Sequence, residues 1–390
     1  MKVLLVHNEY RELGGEEKVV EAETRLLREN GVEVEEVRFR SAELEGLLSK
    51  ARTAWELPHS EKAKRRVAGA IQRFRPDVMH VHNFFPLATP SVFEAAREAR
   101  VPAVMTLHNY RILCANGLLL RDGKPCELCV DDGPKHAVRY RCYQGSLVGS
   151  MALARMIATH HRRRTWHTMV DKFVVLTEFS KSRYAKAGLP AEKFTVKPNF
   201  LFSPVASAEF TKNKIPKVIF VGRLSGEKGL ATLLAAKAGS TAYELHIVGD
   251  GPLAAEVSAA IAADKQIIWH GRQGTEEVYR LQSMADLIVF PSECYENFPI
   301  VLLEAMAHGK PVLVSRIGGL AEIVEEGKTG EFFSPGDSSS LQQALEKILA
   351  DPGRLRAMGA AAESRYLERY NAETNFRLLR EIYQSVRLAP

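Results

Sequence analysis

The sequence predicts two α/β domains, each built on a parallel sheet of Rossmann-like type, and three observations carry that prediction. Short apolar runs with strand character alternate with helical patterns from one end of the 390 residues to the other, the signature of strand–helix–strand units rather than of a sandwich or a bundle. The alternation breaks once, within 200–216, where SPVASAEFTKNKIP is polar, proline-flanked and aperiodic, so the domain boundary is expected there. The length suits two or three domains of ordinary size, each able to bury its own core.

Taken in order, the expected strands of the first half are 2–7, 33–37, 78–82, 103–107, 173–177 and 194–197. Most are runs rich in Val, Ile, Leu, Phe or Met bounded by polar or turn residues, and helical patterns lie between most of them. In the second half the runs are 218–221, 244–248, 267–269, 287–290, 311–314 and 330–332. A helix is expected after 287–290, because Leu302, Leu303, Ala305, Met306 and Ala307 form an apolar face that Gly309 and Pro311 terminate. No short repeat is present, so the two halves read as similar layers rather than an array.

Composition narrows the class. Hydrophobic residues make up 46% and charged residues 26% of the chain, as in soluble globular proteins. No segment approaches the roughly 18 uninterrupted apolar residues of a bilayer span. The opening MKVLLVHNEY has too short an apolar run for a signal peptide and reads as a first strand, which leads to an expectation of cytoplasmic location. A net charge of +6 suits a protein that handles anionic substrates or touches an anionic surface. The basic residues are spread along the chain with no helix-turn-helix, zinc-finger or single-strand-binding pattern, so nucleic acid is not an expected partner.

The chemistry concentrates in two segments. In ECYENFPIVLLEAMAHGKPVLVS, Glu296 and Glu304 stand eight residues apart beyond a buried strand, one in the loop or first helical turn and the other about two turns on. In VIFVGRLSGEKGL, Gly222 allows close backbone approach, and Arg223 and Lys228 flank a turn that opens a helix. Free N–H groups and the positive end of a helix dipole favour an anion at such a turn. Carboxylates for sugar and ribose hydroxyls, with fixed cations for two phosphates, are what a nucleotide-diphosphate sugar requires.

These segments, with VGDGP at 248–252 and the glycine-rich loop GGEE at 14–17, resemble the retaining glycosyltransferases of family 4, whose two-domain architecture is called GT-B. The resemblance runs over nearly the whole chain and is strongest from 217 to 335. It implies two Rossmann-like domains facing across a deep cleft: an acceptor-side domain at 1–200, a nucleotide-sugar-binding domain at 201–370, and a final helix within 371–390 crossing back to the first domain. It further implies that Arg223 and Lys228 neutralise the departing diphosphate, that Glu296 holds a sugar hydroxyl beside the N–H groups of Phe298 and Ile300, and that Glu304 takes the ribose. Gly14 and Gly15 are expected over the diphosphate. His108, at the carboxyl end of the strand AVMTL, is expected beside the transferred sugar, where an N–H stabilises developing charge. Gly222, Gly249 and Arg272 complete the expected donor-binding set. Transfer of this type implies no metal in catalysis and a diphosphate that itself serves as base.

Four of the five cysteines, Cys114, Cys126, Cys129 and Cys142, fall in an insert at about 109–145 that is rich in Gly, Asp and Lys and has little to bury. Their spacing is compatible with a structural zinc site, with reduced thiols, or with disulfides. The stretch 146–167 follows, apolar at first and ending in HHRRRTWH. Basic residues beside Trp166 resemble an interfacial membrane element that reaches a lipid-linked acceptor; the alternative is a domain helix with a solvated basic end. For the chain as a whole the expected activity is transfer of a sugar to a glycan or lipid-linked acceptor hydroxyl. The rivals are a nucleotide-sugar epimerase on the same architecture and a catalytically silent binding module.

Overall fold

A computed structural model describes residues 1–10, 14–43, 46–202 and 213–387. The chain divides into two compact units. One comprises Met1–Arg121, Cys126–Asn199 and Asn375–Pro390; the other comprises Asp122–Pro125 and Phe200–Thr374. The run 203–212, the greater part of the expected linker, lies outside the described residues.

The first unit holds a six-stranded parallel sheet. Across the sheet the strands run Glu33–Arg40, Lys2–Glu9, Val78–Asn83, Ala103–Thr106, Lys172–Val175 and Phe194–Val196. The order reverses between Lys2–Glu9 and Val78–Asn83. There the register slips, with Val6 opposite Val81 but His7 opposite Asn83, and such an irregularity re-aims the side chains at a strand end. All six predicted strands are present within a few residues of the expected bounds; the inner ones are buried, largely apolar runs that local sequence reveals, while the edge strand Glu33–Arg40 is only partly buried and keeps its charged residues. The last helix, Ala372–Arg387, sets Leu379, Ile382, Tyr383 and Val386 in one core cluster with Val3, Leu5, Val78, Val104 and Val174.

In the second unit the sheet is again parallel and six-stranded, ordered Ile267–Trp269, Glu244–Val248, Lys217–Val221, Leu287–Phe290, Val312–Ser315 and Gly330–Phe333. The order reverses between Lys217–Val221 and Leu287–Phe290. In open sheets of this kind ligands bind beyond the carboxyl ends of the strands, at such a reversal.

Two glycines close the loops around this point. A Cβ at Gly249, where φ is +137°, lies only 1.8 Å from the Gly222 carbonyl oxygen, and one at Gly229, where φ is +68°, lies 1.7 Å from that of Pro291. Both the dihedrals and the space exclude side chains. The loops after three neighbouring strands are thereby stacked backbone on backbone, which makes the platform rigid.

Candidate active site

At the reversal point of the second sheet, Lys228 and Glu296 meet. Lys228 ends the single turn Gly226–Lys228 that follows strand Lys217–Val221, and the helix Leu230–Lys237 begins just beyond it. Glu296 lies in the loop after Leu287–Phe290. Lys228 Nζ stands 2.6 Å from Glu296 Oε1, and Ser292 Oγ donates to the same oxygen at 2.9 Å. Burial pushes the lysine pKa down, but the adjacent Glu296 carboxylate outweighs it and holds the ammonium well above its ordinary value. The pair is therefore an ammonium and a carboxylate, one formal positive and one formal negative charge in a single contact.

The helix expected in this segment begins at Ile300, so of its two expected placements Glu296 takes the loop, and Glu304 lies a little over one turn into the helix. Glu304 is buried, as are Phe298 and Ile300. The Glu304 carboxylate adds to the effect of burial in raising Tyr279 to about 12. Gly222 donates its N–H to Val248 at 3.0 Å, and Gly249 donates to Gly271 at 2.8 Å. Arg223 and Arg272 are exposed. Two neighbouring carboxylates have local partners: Glu293 accepts from Thr232 at 2.6 Å, and Asp250 accepts from the N–H of Gly251 at 2.7 Å.

In the first unit Gly14 precedes helix Gly15–Glu29 and donates its N–H to Glu17 Oε2 at 2.9 Å; residues 11–13 of that loop lie outside the described residues. His108 lies two residues beyond strand Ala103–Thr106, half-buried, with its Nε2 3.0 Å from His82 Nδ1. Behind His82 lies a group that sequence reasoning missed. Glu23 Oε1 is 3.3 Å from both His80 Nδ1 and His82 Nε2, and Glu23 Oε2 is 2.8 Å from Lys197 Nζ. Lys197 also donates to Asn375 at 3.0 Å, while His80 meets Tyr383 and Thr106 at 2.8 and 2.7 Å. A glutamate on the inner face of the first helix and a lysine just after the sixth strand carry no local signal that they will meet.

This cluster is laden with protonation chemistry. Burial raises the Glu23 carboxyl, but Lys197 and then His82 more than offset it and hold the group well below its ordinary value. Burial, reinforced by His82, keeps His80 and His108 well below theirs. His7 falls from 6.5 to about 3 through burial, His82 and Arg38; outside the cluster, His160, which meets Thr165 and the Pro58 carbonyl, falls to about 4 through burial.

For each of these histidines the unfolded chain takes a proton below about pH 6.5 that the folded chain refuses until a lower pH, so the unfolded state binds more protons in between. Stability is therefore lost as pH falls from about 6.5 towards 4. The contribution of Glu23, present above the ordinary carboxylate pKa, goes the same way as pH falls through its depressed folded value. Thermal melts from pH 7.5 to 5 should show a steadily falling midpoint, and a flat profile counts against neutral buried imidazoles.

The insert departs from expectation. It does bury side chains of its own, with Tyr110, Ile112, Leu113, Ala115, Leu119, Val130 and Ala137 in the core. It is also tied to helix Glu178–Lys186 by Glu127, which pairs with Arg183 at 2.6 Å and Lys186 at 2.8 Å. Packing and charge hold it, so a metal is not needed to explain its order. None of its four cysteines is in a disulfide. Burial, with Cys114, Cys142 and Cys126 nearby, pushes Cys129 up to about 12. Among the described residues the group whose ligand atoms converge within 4.8 Å is Glu23, His80 and His82, and it includes no cysteine; in that group Lys197 already engages the carboxylate.

The predicted membrane element also changes. The helix runs Leu147–Arg162 and a separate turn, Thr165–Thr168, follows. Trp166 is only 3% exposed, against Phe84 and Phe93, so it is a core residue and no surface anchor. Exposed apolar side chains lie instead at the start of the helix, at Leu147, Val148 and Met151, and on helix Gly46–Glu56 at Leu48 and Trp55. No helix among the described residues is long and apolar enough to cross a membrane.

Comparison with known proteins decides the family. Residues 6–199 match the pattern described as glycosyl transferase 4-like domain, and residues 206–365 match glycosyl transferases group 1. The chain belongs to the glycosyltransferases of family 4. Among curated relatives of this glycosyltransferase, a D-rhamnosyltransferase of Pseudomonas aeruginosa is 37% identical over 40% of the chain and 41% of the relative. An α-D-kanosaminyltransferase of Streptomyces kanamyceticus is 24% identical over 88% of the chain and 84% of the relative. The chain spans less than two thirds of the first curated relatives it matches, 41%, 29% and 59% of their lengths.

Solved structures agree on the GT-B fold. A sucrose-phosphate synthase of Thermosynechococcus elongatus superposes with a TM-score of 0.73 at 19% identity, covering 98% of both chains. The Anabaena protein HepE, solved in complex with UDP, superposes with a TM-score of 0.68 at 19% identity over 99% of this chain and 100% of its own.

Proposed function

We propose that this family 4 glycosyltransferase moves a hexosyl group from a nucleotide-diphosphate sugar to an acceptor hydroxyl with retention of configuration. The observation that supports this best is the Lys228–Glu296 contact at the reversal point of the second sheet. A donor diphosphate competes with Glu296 for the ammonium, and the carboxylate so released accepts from a sugar hydroxyl. Lys228 and the exposed Arg223 then face a leaving group whose negative charge grows as the glycosidic bond breaks, so they stabilise the transition state more than the ground state.

In this reading Glu304 takes the ribose, and Gly222, Gly249, Arg272, Phe298 and Ile300 complete the donor contacts. Gly14, Gly15 and His108, in the first unit, are proposed for the roles that the resemblance implies for them. Thermal-shift measurements with UDP, GDP, ADP and their sugar conjugates test the proposal. The authentic donor should stabilise the fold by about 2.7 kcal/mol at a hundred times its Kd, and a folded protein that responds to none of them overturns the reading.

The acceptor is proposed to be a glycan or lipid-linked, in polysaccharide or glycolipid synthesis on the inner face of a membrane. The exposed Leu147, Val148, Met151 and Trp55, with basic Arg162, Arg163 and Arg164 at the far end of the helix, support a peripheral contact. Binding to anionic vesicles that salt weakens and Val148→Asp abolishes is the expected result; indifference to that substitution speaks for a solvated domain surface.

Catalysis is proposed to need no metal. Zinc at Cys114, Cys126, Cys129 and Cys142 is proposed as structural only, and binding would have to draw the sulfurs together. Elemental analysis of protein prepared without chelators should give about one zinc per chain. Metal-free protein with an ordered insert leaves a packed loop that contains cysteines.

A further inference from the structure

In the second unit a line of three side chains runs up the sheet and ends beside the donor loops. His246 lies within strand Glu244–Val248, and His270 directly follows strand Ile267–Trp269. The two ring planes are only 13° apart, and His246 Nδ1 stands 3.0 Å from His270 Nε2. On its other side His246 Nε2 faces the Glu244 carboxylate at 3.5 Å. Burial is the largest influence on both rings and lowers their pKa; His270 and Lys217 add to it at His246, and Arg280 at His270, while Glu244 and Glu277 oppose it. Each ring is therefore neutral at pH 7.5, with one proton to place.

A carboxylate only accepts, so the proton of His246 belongs on Nε2. A neutral imidazole that donates from one nitrogen accepts at the other. His246 Nδ1 is then a lone pair, and the proton shared with His270 belongs on His270 Nε2, which leaves His270 Nδ1 bare. The opposite arrangement sets a lone pair of the buried His246 against the Glu244 carboxylate, which is repulsive in a medium of low dielectric. Glu277 and Arg280, the charged residues beside the His270 ring, are paired with each other at 2.7 and 2.5 Å. Among the described residues His270 Nδ1 has no hydrogen-bond partner, and on this half-buried side chain it is open to solvent.

The place of that nitrogen matters. Gly222 donates to Val248 and Gly249 to Gly271, so His270 stands two strand spacings, roughly 10 Å, from the strand that leads to Lys228. Helix Thr275–Met284 joins the same region to Glu304, whose carboxylate acts on Tyr279 while Glu277 and Arg280 act on His270. With the diphosphate at Lys228 and the ribose at Glu304, the base is carried to the side of this helix where His270 lies. We propose that His270 accepts at Nδ1 a hydrogen bond from an N–H of the donor's nucleobase, and that Glu244 and His246 are positioning residues that keep that nitrogen bare. The contact with a base rests on the donor reading above; the placement of the protons does not. A bare ring nitrogen repels phosphate oxygens, so an N–H is the chemistry that it fits.

The test reads the ring nitrogens directly. In wild-type protein labelled with 15N-histidine and free of ligand, His246 and His270 should each show a protonated Nε2 and a bare Nδ1 at pH 7.5, with assignments made from His246→Gln and His270→Gln. A proton on Nδ1 of either ring overturns the proposal. Glu244→Gln removes the charge that orders the line and should leave His270 as a mixture of tautomers; an unchanged, single tautomer there overturns the role of Glu244. UDP, GDP and ADP are then added in turn, and the one that binds should shift the His270 Nδ1 resonance, whereas pyrophosphate should not. His270→Phe should weaken that nucleotide about tenfold, the scale of one lost hydrogen bond, and His270→Asn, which keeps an acceptor near the position of Nδ1, should retain most of the affinity. Should neither variant fold, the wild-type Nδ1 shift still decides. Equal affinity in wild type and His270→Phe overturns the base contact while the donor reading stands, and failure of all three nucleotides to bind overturns both.

Discussion

Lys228→Ala is expected to lower sugar transfer by about two orders of magnitude while the protein stays folded, the scale of losing one charge-stabilising group aimed at a transition state. The substitution leaves Glu296, whose side chain is 13% exposed, with Ser292 as its remaining hydrogen-bond partner, so a modest stability loss should accompany the kinetic one. Arg223→Ala should act in the same direction without touching stability, because that side chain is exposed. Steady-state kinetics with the authentic donor, beside a melt of each variant, separates the two effects. Wild-type turnover in both variants would remove the diphosphate assignment.

The largest stability effect is expected at Lys197. Lys197→Met leaves Glu23 as a carboxylate with no countercharge in an interior where both side chains are essentially inaccessible, and breaking such a pair from one side costs about 3–5 kcal/mol. The contact to Asn375 goes as well, loosening the last helix where it enters the first unit. Denaturant unfolding followed by fluorescence, with Trp166 buried in that unit, measures the loss. The double variant Lys197→Met, Glu23→Gln has no unpaired charge and should be less destabilised than Lys197→Met alone. Additive losses would mean that the two groups do not act as a pair.

How much of this was legible beforehand differs element by element. All twelve principal strands were, most of them because an inner strand covered on both faces is largely apolar and its neighbours in sequence suffice to show it. Lys228 and Glu296 were legible as a basic and an acidic residue in loops after strands, and Gly222 as a point of close backbone approach. Trp166 was left open between a membrane element and a domain helix because a basic run beside an aromatic ring looks the same in sequence whether the ring faces a membrane or the core. The insert was misjudged because its apolar residues fall in short groups such as Ile112 and Leu113 or Leu118, Leu119 and Leu120, with no helical or strand period, and reveal themselves as a core only when folded together.

By itself, then, the sequence determined the α/β class, the positions of the strands and the kinds of group available to a donor, all of which follow from local composition and periodicity. The tertiary structure alone decided which strands are neighbours, and so where each sheet reverses. That reversal brings Lys228 within hydrogen-bonding distance of a carboxylate 68 residues away, and the fold of the first unit brings Glu23 to a lysine 174 residues away. Contacts at such separations leave no periodic trace, because they are created by the burial of whole sheets and helices rather than by the conformational preference of any short segment.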